Sequence, residues 1–194
     1  MDKYVIVGLI SGFISLFGYL PYIISIIRGN TQPNRATWLI WTVVGFLLAL
    51  SYYITGDIKA CWVPVAFFIG PLIVTILSFF YGHSQWSILD KICLATAGIS
   101  IIVWSMTGNA VLALLINVLI DFIGAIPTLY KTYYHPESED LMAWVLFFIG
   151  SAINVAAIMT WDITVIYPLY LVSITFTMVL LLLLLKTKEN SVTN

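Results

Sequence analysis

The chain has 194 residues, 61% hydrophobic and only 9% charged, with a mean hydropathy of +1.04 and a net charge of −1. A soluble domain carries about 25% charged residues, so this composition excludes an ordinary water-soluble fold and makes lipid the expected main solvent. Lys and Arg stand singly with no basic stripe, which excludes a nucleic-acid interface.

A helix needs about 20 mostly apolar residues to cross a bilayer. Clusters of charge, Gly, Pro and Asn divide the chain into seven such runs. The first, 4–27, contains Ser11, Ser15, Gly18 and Pro21. It follows Met1-Asp2-Lys3 with no small-residue cleavage site, and reads as a retained helix rather than a signal peptide. A connector over 28–35 leads to the second run, 36–55, which opens with Trp38 and Trp41 and closes with Tyr52 and Tyr53. The third run, 58–80, starts near Trp62 and holds Pro64. The fourth, 86–106, lies between Trp86 and Trp104. The fifth, 110–132, carries Asn117, Asp121, Gly124 and Pro127. An acidic turn over 135–140 precedes the sixth, 141–160, with Trp144 and Asn154. Trp161 and Asp162 separate it from the seventh, 163–186, and the polar tail 187–194 reads as frayed. Continuous apolar runs rule out a transmembrane β-barrel, whose strands alternate in polarity. The expected class is an all-α membrane protein with seven transmembrane helices.

The tryptophans fall at the ends of runs, as an aromatic belt at the headgroup level requires. With seven spans, the side opposite the N-terminus holds Arg28, Arg35, Lys91, Lys131, Lys186 and Lys188, against Lys3 and Lys59 on the other. The positive-inside bias then places the N-terminus outside and the C-terminus in the cytoplasm. Cys61 and Cys93 show no disulfide or zinc spacing, and His83 and His135 have no ligand partner at metal spacing. No Ser or Cys pairs with a His and an acid at a recognisable spacing. No metal, cofactor or enzymatic activity is expected.

Sliding the sequence by 106 residues brings Gly18 onto Gly124, Pro21 onto Pro127 and Trp38 onto Trp144 without a gap. Ser11 and Ser15 fall on Asn117 and Asp121; Gly45 meets Gly150 with a one-residue slip, and Pro64 meets Pro168 with a two-residue slip. Spans one to three thus match spans five to seven. A unit of three helices inverts unless one helix is inserted, so the fourth span makes the two repeats parallel. The expected organisation is a first three-helix repeat over 1–83, a linker helix over 84–107, a second repeat over 108–186 and a cytoplasmic tail over 187–194.

On these residues the chain resembles the PQ-loop and SWEET-type superfamily of 3+1+3 membrane proteins. The resemblance covers nearly the whole length in architecture. At sequence level it rests on Gly18-Tyr-Leu-Pro21 with Arg28 and Trp38, and on Asp121-Phe-Ile-Gly124-Ala-Ile-Pro127 with Lys131, the 135–140 turn and Trp144. Tyr22 and Thr128 stand where the family has its name-giving Gln, and the third and seventh spans lack the Asn of the sugar carriers. The resemblance is therefore to the superfamily and carries over no sugar substrate. It implies a solute path between two three-helix bundles that rock about proline hinges, and relatives of this architecture include sorting receptors.

The residues support that reading independently. Proline removes a main-chain hydrogen bond and kinks a helix, so Pro21 and Pro127 at equivalent positions suit a symmetric gate. Asp121 lies inside the fifth span, where a carboxylate is costly and usually faces a cavity; it suits reversible protonation. Asn117, one turn earlier, shares its helix face, and Asn154 and Tyr53 complete the candidate solute-binding set. Arg35 is placed as a gate against the acidic turn of Glu137, Glu139 and Asp140. The alternative for that turn is local: acids there complement the dipole of the following helix, with Ser138 or Asp140 as its cap.

The expected function is small-solute transport by alternating access between the bundles, proton-linked through Asp121. The alternatives are a seven-helix ligand-binding or sorting receptor on the same scaffold, and a lipid-handling or structural protein. The expected partners are a small polar solute and the lipid bilayer, with self-association into a homo-oligomer open. A prokaryotic plasma membrane is the expected location.

Overall fold

The computed structural model describes residues 3–54, 62–82, 86–106, 110–156, 158 and 161–192, with side chains at all of these except 5, 48, 50–54, 62–67, 104, 110, 113, 164 and 187–192. Lys59, Cys61, His83 and the side chains of Tyr52 and Tyr53 lie outside the described residues.

Long apolar runs give helices throughout. In chain order these are α1 (Lys3–Phe17), α2 (Tyr19–Ile27), α3 (Arg35–Ile54), α4 (Trp62–Tyr81), α5 (Ile88–Ser105), α6 (Ala110–Tyr134), α7 (Leu141–Ala156) and α8 (Ile166–Val192). Short 3-10 turns at Pro136–Ser138 and Ile163–Val165 precede α7 and α8, and the described residues include no strand. Three stretches are long and apolar enough to cross a membrane: Ile6–Ile27, Leu114–Tyr134 and Ile166–Lys186. Arg35–Leu47, Phe68–Tyr81 and Leu141–Ala156 are shorter apolar helices.

Two elements depart from the sequence expectation. The first run is not one helix: α1 ends at Phe17 and α2 begins at Tyr19. Pro21 lacks the N–H that would bond the carbonyl of Phe17, and the break falls there. The last helix continues to Val192 rather than fraying after 186. Residues 187–190 read Thr-Lys-Glu-Asn, and Lys and Glu are good helix formers.

The connectors are stopped and started by their own side chains. α2 ends in a Schellman turn: Gly29 sits at φ +76°, its N–H bonds Ile26 O at 2.9 Å, and Asn30 N–H bonds Ser25 O at 3.0 Å. Asn34 Oδ1 accepts the Thr37 N–H at 3.1 Å and caps α3. Its amide donates to Asp90 Oδ1 at 2.9 Å. Asp90 in turn closes a capping box with Ser87 at the start of α5, at 2.8 and 3.0 Å. Asp140 Oδ1 accepts the Ala143 N–H at 2.8 Å and caps α7.

The helices form two compact units, one of Met1–Thr31 with Leu129–Asn194, the other of Gln32–Thr128. In the first, α1 and α2 pack on α7, and α7 packs on α8. Ser11 Oγ donates to Gly150 O at 2.8 Å, and a Cβ on Gly150 would meet Ser15 N at 3.0 Å and Ser11 O at 3.1 Å. The α1–α7 crossing is therefore closed to backbone contact. A hydroxyl pair, Ser151 with Thr175 at 2.9 Å, ties α7 to α8. In the second unit, α3 packs on α4 and α5. Its apolar centre is Ile40, Val44, Cys93, Ala97, Ile120 and Ile123. A hydroxyl pair, Thr42 with Thr75 at 2.8 Å, ties α3 to α4. Neighbours in sequence are thus not all neighbours in packing: the first apolar run joins the sixth and seventh.

Candidate functional site

Asp121 lies on α6, six residues before Pro127, and is only 6% exposed. Buried carboxyl groups on an apolar helix are costly and usually functional. Its main-chain carbonyl accepts the indole N–H of Trp41 at 3.2 Å. Asn117 lies one turn earlier on α6 and is half-buried. Asn154 lies on α7, in the other compact unit. Tyr53 falls in the last turn of α3, its side chain outside the described residues.

The two helix prolines behave differently. Pro21 follows the α1–α2 break, whereas Pro127 sits inside the unbroken helix α6. Pro71 likewise sits inside α4. Arg35 caps the C-terminal end of α4: its Nε donates to Ser78 O at 3.0 Å and its Nη2 to Phe79 O at 3.3 Å, with the guanidinium over the Phe79 ring. A cation on the last carbonyls of a helix complements its dipole.

Sequence reasoning treated Glu139 as one acid of a turn and missed what it holds. Its side chain is fully buried, and one oxygen pairs with Lys131 Nζ at 2.7 Å. The other accepts the Tyr22 hydroxyl and the Trp144 indole N–H, each at 2.9 Å. Lys186 Nζ donates to the Glu139 main-chain oxygen at 2.8 Å. Residues of α2, α6, α7 and α8 therefore converge on one carboxylate. A basic residue in the last turn of the helix before an acidic turn was the available signal; the Tyr22 partner had none.

The same positions recur 106 residues apart. Tyr22 and Thr128 each follow a helix proline; the Thr128 hydroxyl donates to Thr37 Oγ1 at 2.9 Å. Trp38 stands edge-on to Trp41 at 5.1 Å, and Trp144 edge-on to Phe147 at 5.6 Å. A Cβ on Gly18 would meet Phe147 at 2.8 Å, and one on Gly124 would meet Ile40 at 2.8 Å and Trp41 at 3.2 Å. The helix caps Asn34 and Asp140 follow the same offset.

No protein family matches the chain, and neither a curated protein sequence nor a solved structure does. The described residues include no cluster of His, Cys, Asp or Glu fit to hold a metal ion.

Proposed function

We propose that the chain is a multi-pass membrane protein of the 3+1+3 type, and that it moves a small polar solute by alternating access, linked to protons through Asp121. The observation that carries the reading is the burial of Asp121 on a helix long and apolar enough to cross a membrane. Ionisable residues within membrane helices mark solute paths and proton relays by default. The repeated contacts at a 106-residue offset support two equivalent three-helix repeats. Large apolar side chains left exposed, such as Phe13 at 71%, Phe80 at 78% and Met106 at 81%, support a lipid environment.

The test is a melting measurement on the purified protein against pooled sugars, amino acids, vitamins and lipids. A ligand that binds only the folded state stabilises it by about 2.7 kcal/mol at a hundredfold excess over Kd. A saturable shift from one polar pool, followed by uptake of that solute into liposomes, is the expected result. Saturable binding without uptake would replace the transporter by a receptor, and a shift with lipids alone by a lipid-handling protein.

A further inference from the structure

A buried acid exchanges its proton only where water or a hydroxyl reaches it, and one face of α6 shows what stands beside Asp121. Asp121, Gly124 and Thr128 share that face, and α3 packs along it. The Thr128 hydroxyl donates to Thr37 Oγ1 at 2.9 Å, and both threonines are buried. One turn along α3 from Thr37, the Trp41 indole N–H donates to the Asp121 main-chain oxygen at 3.2 Å. Gly124 makes room for the ring: a Cβ there would meet Trp41 Nε1 at 3.2 Å and Ile40 Cγ2 at 2.8 Å. The indole therefore lies between the acid and the hydroxyl pair. Ile40, Ile120 and Ile123 are buried on the same two helices and offer water no hydrogen-bond partner. The other unit has the same packing without the donor. Phe147, 106 residues after Trp41, lies where a Cβ on Gly18 would meet it at 2.8 Å, and Ser15 stands in the place of Asp121. The ring with an N–H appears where the acid does.

We propose that Trp41 is a plug: its ring closes Asp121 off from the Thr37–Thr128 hydroxyl pair, and a proton passes between them only when α3 carries the indole off Gly124. A hydroxyl both donates and accepts, so the two threonines form the relay on the far side of the plug. The cavity that the ring leaves behind has a carboxyl group at one end and hydroxyls at the other, and a polar cavity of that size takes up water. The plug rests on the reading of Asp121 as the acid that binds the coupled proton. It adds the side from which that acid is closed and the residue that closes it.

Thiol labelling of the purified protein tests the plug without any solute. Cys61 and Cys93 are replaced by Ala. A reporter cysteine is introduced by Asp121→Cys, or by Thr75→Cys as a control in the same unit; the two native residues are 6% and 5% exposed. Methanethiosulfonate ethylammonium, small and charged, then reads water access to each position. With Trp41 in place, both cysteines are expected to react slowly. Trp41→Ala is expected to speed labelling at position 121 about tenfold or more and to leave position 75 unchanged. Trp41→Phe, which keeps most of the ring, is expected to stay within about threefold of the parent. Acceleration at both positions means general loosening and overturns the plug, as does acceleration at neither or fast labelling at 121 with Trp41 in place. A Phe variant as fast as the Ala variant shows that the ring itself closes nothing, and overturns it too. Should Trp41→Ala fail to fold, Trp41→Leu is read by the same criteria. Liposome uptake is scored separately: a chain that carries no solute yet opens selectively at position 121 loses the transporter reading and keeps the plug.

Discussion

The Tyr22 hydroxyl donates a 2.9 Å hydrogen bond to Glu139 Oε2 across 117 residues of chain. Trp144 shares that oxygen, and Lys131 takes the other. A buried carboxylate is tolerated only when it is paired and hydrogen-bonded, and here both conditions hold. The arrangement fixes the start of α2, the end of α6 and the start of α7 to one charge.

Removing one partner of a buried pair leaves the other uncompensated, at a cost of about 3–5 kcal/mol. Lys131→Met is therefore expected to lower the melting temperature by about 10 °C for a chain of this size. Lys131→Met combined with Glu139→Gln leaves no orphan charge and is expected to recover most of that loss. Thermal melts of the two variants check this. A double variant no more stable than the single one would mean that Lys131 acts by packing and not by charge.

Helix positions were legible in the sequence because apolar run length decides them. Of the two cap candidates before the sixth run, Ser138 and Asp140, the structure uses Asp140 on Ala143 N–H. Packing partners were not legible. Every helix of this chain is apolar, so hydropathy does not specify that α1 packs on α7. Glu139 was misleading for a related reason: in sequence it sits between Ser138 and Asp140 in a turn, and only the return of α2 and α6 encloses it. Local charge pattern describes a residue's neighbours in the chain, while burial is set by distant ones.

Gly150 on α7 sits against the backbone of α1. A Cβ there would approach the main-chain N of Ser15 and O of Ser11, at 3.0 and 3.1 Å, and would also press on Ser15 Oγ. A backbone cannot swing aside as a side chain can. Gly150→Ala is expected to cost about 1–3 kcal/mol by overpacking. Gly12→Ala and Gly98→Ala, which meet nothing within 4 Å, are expected to be neutral or slightly stabilising. Parallel melts rank the three; equal effects would show that α1 and α7 separate easily.

Arg35 holds two carbonyls at the end of α4. Arg35→Gln keeps a donor and is expected to be mild. Arg35→Glu sets a carboxylate against the negative end of a helix and is expected to destabilise by about 1–2 kcal/mol more. If Arg35 instead gates against the acidic turn, adding Glu139→Arg restores transport. The expected outcome is no recovery, because that change also removes the acceptor for Tyr22, Lys131 and Trp144. Uptake and melting of the single and double variants separate these roles.

Asp121 carries the proton-linked reading and is tested by the smallest change that removes ionisation. Asn is nearly isosteric and keeps hydrogen-bonding capacity, so Asp121→Asn opens no cavity and is expected to cost about 1 kcal/mol, a shift of a few degrees for a chain of this size. If the carboxyl group takes up and releases the coupled proton, the same variant loses the pH dependence of uptake while solute exchange at equal pH on both sides persists. Exchange needs the solute site and the hinges; net proton-driven accumulation needs the acid as well. Uptake into liposomes with and without a pH gradient measures both. Retained gradient-driven accumulation in Asp121→Asn would remove the proton from the mechanism, and loss of exchange as well would place Asp121 in the solute site itself.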